Sequence, residues 1–155
     1  MNVNVLHCVY LTKAVLPLFL RRKERSAILN TSSVMSHYHC PGFILYSASK
    51  VFMTYFSLGL AYELSQSSRV DVLDYKPGYV ETKLSGAKQG TFCITPEVAA
   101  KCSIDDLGQT VSTNAVLVHQ LSGWVMKFLP SLNYFAQSNF YKEGVKKFDS
   151  EKKRN

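Results

Sequence analysis

Tyr46 and Lys50 stand four residues apart in the run Tyr46-Ser47-Ala48-Ser49-Lys50. On a helix that spacing puts both side chains on one face. An ammonium beside a phenol favours the phenolate, so such a pair can give a proton to a carbonyl oxygen or take one from an alcohol. Alone the pair is a weak signal, since exposed helices carry the same spacing. Two further clusters sharpen it. Ser33 lies thirteen residues before Tyr46, in Leu29-Asn30-Thr31-Ser32-Ser33, and Pro77-Gly78-Tyr79-Val80-Glu81-Thr82 follows later. Other groupings carry less. His37-x-His39-Cys40 has the alternation of a metal-binding strand, but no second ligand pair has matching spacing, so no metal is expected and an active-site rim is preferred. No Gly-x-Ser-x-Gly is present to make a serine nucleophile.

Several elements must position these residues. Asn4–Leu20 is near helical period through Val5, Cys8, Val9, Leu11, Val15, Leu16 and Phe19, with Pro17 expected to kink it. Ala27–Leu29 and Val70–Leu73 read as short buried strands, the second stopped by Pro77-Gly78. Between them a helix over Leu45–Leu64 is expected to turn Ala48, Val51, Phe52, Tyr55, Phe56, Gly59 and Tyr62 inward. Thr95-Pro96-Glu97 starts another helix, with a hydroxyl cap, proline in the first turn and an acid facing the dipole; it runs to Leu107 and stops at Gly108. Ala115–Val118 is the third strand candidate. Helices alternating with strands argue for an α/β layer with a parallel sheet. Three short parallel strands leave an exposed edge, so the pattern reads as half of a doubly wound domain.

Length and composition fit one globular domain: 155 residues, 46% hydrophobic and 19% charged. The net charge of +7 is confined to Lys13, to the cluster Arg21–Arg25 and to the tail after Tyr141; residues 26–141 balance at seven basic and seven acidic. No groove-lining basic face follows, and a nucleic-acid partner is not expected. Cys8, Cys40, Cys93 and Cys102 lack paired spacing, and no signal peptide is read, so reduced thiols facing the cytosol are expected. No 18-residue apolar run occurs; Ala115–Ala136, interrupted by His119, Gln120, Lys127 and Pro130, suits an amphipathic helix lying on a membrane or one facing the core.

Tyr-x-x-x-Lys, a serine thirteen residues earlier and a later Pro-Gly-x-Val-x-Thr together resemble the short-chain dehydrogenase/reductase superfamily over nearly the whole chain. The resemblance implies a catalytic tetrad. Tyr46 would be the acid/base, Ser33 would hydrogen-bond the substrate carbonyl, and Lys50 would bind the nicotinamide ribose and tune Tyr46. Asn4, matching the family's helix asparagine, would hold a relay water. Tyr46 and Lys50 would also touch the cofactor, with Pro77, Gly78, Val80 and Thr82 lining its nicotinamide end. Val-Leu-Pro in the first helix, Ile-Leu-Asn-Thr-Ser-Ser, Tyr-Ser-Ala-Ser-Lys, Thr113-Asn114 and the lysine-rich end are similar to the branch of very-long-chain 3-oxoacyl-CoA reductases and 17β-hydroxysteroid dehydrogenase type 12.

That branch implies hydride transfer between NADPH, or NAD, and a hydrophobic ketone: a 3-oxoacyl-CoA of fatty acid elongation, or a steroid. It also implies the cytosolic face of the endoplasmic reticulum membrane, where Lys152 and Lys153 resemble a retrieval signal, and pairing of copies through the catalytic-tyrosine helix. The family's glycine-rich pyrophosphate loop and Asn-Asn-Ala-Gly strand are missing. The expected fold is therefore α/β: the C-terminal half of a doubly wound Rossmann-type domain with parallel strands, lacking its first βαβ cofactor half. Residues 1–122 would form the catalytic half, and 123–155 a membrane-associated, basic tail. The competing expectation is a truncated, non-catalytic remnant that cannot hold cofactor and pairs with a full-length relative.

Overall fold

The computed structural model describes residues 2–40, 42–65, 69–83, 85–86 and 88–129, with the isolated positions 138, 141, 142 and 146. A π-helical turn, Asn2–Leu6, leads into α1 (His7–Arg21). Apolar residues at helical spacing turn Val5 inward, with Cys8, Val9, Val15, Leu16 and Phe19 partly covered, but Leu11 is exposed and Thr12 takes the buried position. Pro17 lies within α1, which continues to Arg21. β1 (Ser26–Thr31) follows, then α2 (Ile44–Leu64) and β2 (Val70–Tyr75). Two short strands, β3 (Tyr79–Val80) and β4 (Cys93–Ile94), pair with each other; α3 (Pro96–Asp105), β5 (Ser112–Thr113) and α4 (Leu117–Phe128) complete the order.

The main sheet is parallel in the order β1-β2-β5, with Ser26 opposite Val70 and Thr31 opposite Tyr75. Right-handed crossover helices are the usual means of joining such strands, and α2 supplies the one between β1 and β2. A core of Leu60, Ala61, Leu64, Val70 and Val72 sits under α2, closed by Leu16, Phe19, Ile28 and Phe56. Thr95 caps α3 as its sequence predicts, accepting a hydrogen bond from the Val98 N–H at 3.4 Å. The four cysteines form no disulfide.

Two expectations fail. The third strand is Ser112–Thr113, not Ala115–Val118. Its register is set by the Thr113 carbonyl, which accepts from the Lys76 N–H at 2.7 Å. Ala115 then adopts a left-handed backbone (φ 66°) that ends the extended run, and α4 begins two residues later. The second failure concerns the inward face of α2. Ser47, Ser49, Met53, Ser57, Leu60, Ala61 and Leu64 are buried, while Tyr55 and Tyr62 are 73% and 77% exposed. Serines can pack inward here because their own helix satisfies them: Ser57 Oγ donates to the Met53 carbonyl at 2.7 Å and Ser47 Oγ to that of Phe43 at 2.9 Å.

α4 places His119 and Gly123 inward, and Leu117, Leu121, Trp124, Val125, Phe128 and Leu129 outward. Of the two readings left open for Ala115–Ala136, a surface helix or a core-facing one, α4 carries its apolar stripe outward; residues 130–136 lie outside the described residues. Among the described residues no helix is long and apolar enough to cross a membrane. Tyr134, Phe135 and the dilysine end lie outside the described residues.

Candidate active site

Ligands of open parallel sheets bind beyond the carboxyl ends of the strands, and Ser33, Lys50, Pro77 and Gly78 lie at that end. Pairing runs past the strands themselves. The Ser32 N–H donates to the Tyr75 carbonyl at 2.8 Å and the Val34 N–H to that of Pro77 at 3.0 Å, so Ser33 is tied beside Pro77. Asn114 Nδ2 donates to the Lys76 carbonyl at 3.0 Å and brings in the third strand. Over β1, Asn30 Nδ2 donates to Ser57 Oγ at 2.9 Å, a buried bond that fixes how α2 lies and hence where its first two turns present Tyr46 and Lys50.

Lys50 Nζ stands 5.5 Å from the centre of the Tyr46 ring and donates to the Thr31 carbonyl at 2.9 Å. Burial lowers the Lys50 pKa, while Cys8 and Asp74 oppose that shift. Asn4 Nδ2 reaches Ser49 Oγ at 3.4 Å, which seats the first helix against the tyrosine helix. Asn4, Cys8 and Lys50 line one end of a cavity of about 530 Å3 between α1 and the open edge of β1. Ser33 is buried; its oxygen accepts from the Met35 N–H at 3.2 Å, and among the described residues its hydroxyl proton has no acceptor. It can therefore donate to a carbonyl.

The Pro-Gly-x-Val-x-Thr run divides. Pro77 and Gly78 join the site, Gly78 through its N–H, which donates to His119 Nδ1 at 3.1 Å. Val80 lies in β3, partly buried, with its carbonyl accepting from Ser85 Oγ at 2.6 Å. Thr82 is exposed and turned into a local bend, its oxygen accepting from the Ser85 N–H at 3.2 Å.

Four residues enter the site without having been anticipated. Tyr38 lies within electrostatic reach of Cys40, Tyr79 and Tyr46, and burial first, then those neighbours, push its pKa up to about 12. Asp74 and Lys76 form a buried ion pair at 3.0 Å beneath the strand ends. His119 is 1% exposed. His37, the expected rim residue, is half-buried where a side chain on Gly123 would meet its ring at 3.1 Å. Burial, then Lys76 and Lys127, lower its pKa against Asp74. Among the described residues no three His, Cys, Asp or Glu side chains converge as a metal site would require.

A parallel sheet with a tyrosine–lysine helix across its carboxyl ends defines a class of proton-exchanging, cofactor-dependent dehydrogenases. The chain belongs to the short-chain dehydrogenase family, whose model matches residues 1–91. It is similar to the very-long-chain 3-oxoacyl-CoA reductase of Anas platyrhynchos, 39% identical over 131 residues that cover 84% of this chain and 41% of the relative. The reductase of the same name from Macaca fascicularis is 37% identical over 134 residues, covering 86% and 42%. The chain thus spans about two fifths of the curated relatives it matches, as a partial doubly wound domain would. A short chain dehydrogenase from Burkholderia cenocepacia J2315, solved in complex with NADP, shares the fold with a TM-score of 0.72 at 19% identity, over 87% of this chain and 57% of that one.

Proposed function

We propose that this chain carries the proton-donating half of an NADPH-dependent reductase acting on a hydrophobic ketone, a long-chain 3-oxoacyl-CoA before a steroid. The observation that carries the reading is Lys50, held between the Tyr46 ring and the Thr31 carbonyl at the strand ends where Ser33 is tied to Pro77. The donor set suits a nicotinamide ribose: Lys50 keeps N–H donors beyond the one given to the Thr31 carbonyl. The bound cofactor supplies the hydride. Ser33 donates a hydrogen bond that polarises the carbonyl, and Tyr46 gives its hydroxyl proton to the oxygen as the alcohol forms. Lys50 keeps positive charge beside the phenol. Phe43, Ile44, Leu45, Tyr79 and Phe92 present apolar surface around this end, in keeping with a fatty substrate.

A hybrid in which the remaining length of a very-long-chain 3-oxoacyl-CoA reductase is supplied is expected to consume NADPH with a long-chain 3-oxoacyl-CoA faster than with a ketosteroid, and NADH more slowly. A folded hybrid inert towards both ketones refutes the reading. The competing remnant is favoured by the edge of β1, which has no strand partner among the described residues. It expects no NADPH binding by the chain alone and capture of a full-length relative.

The outward stripe of α4 supports a further part of the reading, a membrane surface as partner, with the endoplasmic reticulum as its location. Trp124 is the sole tryptophan and lies 59% exposed in that stripe, 5.4 Å from the Phe128 ring. Lipid-facing burial should shift its fluorescence to the blue on anionic phosphatidylserine vesicles, and Leu121→Glu should abolish the shift. An unchanged spectrum argues against docking through α4. Likewise Phe52, Tyr55 and Tyr62 leave α2 an apolar outer face on which a second copy could pack.

A further inference from the structure

We infer that His119 is a positioning residue whose imidazole clamps Gly78, at the nicotinamide end of the site, to Phe92, in the segment that enters β4. This rests on the reductase reading and says how that site is held to shape. The ring is bonded on both sides. Nδ1 accepts the Gly78 N–H at 3.1 Å, which requires Nδ1 to be unprotonated; the other nitrogen, Nε2, is then the N–H and donates to the Phe92 carbonyl at 3.3 Å. One tautomer satisfies both bonds, and reversing it breaks both.

Close packing enforces the same arrangement. A β-carbon on residue 78 would come within 2.6 Å of Cδ2 of the His119 ring, so glycine there is what lets the imidazole reach the backbone. The two clamped segments are also paired, Tyr79 opposite Cys93 and Val80 opposite Ile94, but that pairing is only two residues long. A glycine following a proline keeps wide backbone freedom unless its N–H is held. His119 supplies the acceptor from a helix whose outer face is apolar, as a 1% exposed polar group with both nitrogens used. Its position sets the gap between the cofactor-lining loop and the Phe92 segment, where ring and ketone must meet.

The alternative, simple packing, predicts a different ranking of substitutions. Leucine approximates the volume of the ring but cannot accept a hydrogen bond. Asparagine is smaller, yet its Oδ1 branches from Cγ as Nδ1 does and can accept the Gly78 N–H. A clamp therefore ranks His119→Asn above His119→Leu, and packing ranks them the other way. The test titrates the 15N-labelled full chain and both variants with reduced nicotinamide mononucleotide, which probes the nicotinamide end alone, while amide exchange at Gly78 is followed in parallel. Affinity is expected within about threefold of the unsubstituted chain for Asn and at least about tenfold weaker for Leu, the cost of leaving the partly buried Gly78 N–H unpaired. Leu binding as well as, or better than, Asn overturns the clamp. If the unsubstituted chain binds no mononucleotide, the cofactor reading fails separately, and exchange decides the clamp. Slow exchange with His and Asn but about tenfold faster with Leu upholds it; equal exchange in all three overturns it.

Discussion

Tyr46→Phe is expected to lower turnover of the 3-oxoacyl-CoA-reducing hybrid by about 10²–10⁴-fold, the usual worth of a positioned acid. Cofactor affinity should move by less than about threefold. The change removes one oxygen from a partly exposed ring, leaves the ring under Lys50 Nζ, and disturbs none of the bonds that hold α2: Asn30 to Ser57, Asn4 to Ser49, and Lys50 to Thr31. Lys50→Met should behave differently, because the ammonium is assigned both to the ribose and to the tyrosine. It is expected to weaken NADPH binding and turnover together. Steady-state rates with a fluorescence titration of NADPH separate the two patterns. If Tyr46→Phe keeps more than about a tenth of the turnover, proton donation belongs elsewhere, and Tyr38, a phenol within electrostatic reach of Tyr46, becomes the first group to replace.

Much of this architecture could be read from local chemistry. The apolar runs Ala27–Leu29 and Val70–Leu73 fall inside the strands Ser26–Thr31 and Val70–Tyr75, and Thr95-Pro96-Glu97 marks the start of α3. What failed did so for physical reasons. The inward face of α2 was misread because hydrophobicity cannot register serines that satisfy themselves on their own helix, nor that Phe52, Tyr55 and Tyr62 point outward. The third strand was misplaced because β5 is two residues long and is fixed by long-range bonds to Lys76, not by its own apolar content. His119 had no local signal at all, since both of its partners are distant in sequence. Asp74 and Lys76 did carry one. Residues two apart on a strand share a face, so Asp-x-Lys directly after the apolar pair Val72-Leu73 places two opposite charges side by side at the strand's end.

That pair has the largest expected effect on stability. Asp74 is fully buried and Lys76 is 6% exposed, their charges 3.0 Å apart. Ser32 Oγ donates to Asp74 Oδ1 at 2.5 Å, and Lys76 Nζ donates to Ser112 Oγ. The network therefore links all three strands of the main sheet directly beneath Ser33 and Pro77. Removing one partner strands the other charge away from water. Lys76→Met is expected to cost about 3–5 kcal/mol, a fall in melting midpoint of roughly 6–20 °C for a chain of this size. Replacing both charges, as Asp74→Leu with Lys76→Met, should restore most of that loss, because neither desolvated ion remains. Urea unfolding of the two variants and the parent measures both values. A loss under about 1 kcal/mol for Lys76→Met would place the pair among solvated surface ion pairs and contradict its burial. Restored stability with lost turnover in the hybrid would mean that the ion pair holds the strand ends in register for Ser33 and Pro77, and that the fold tolerates its absence where the site does not.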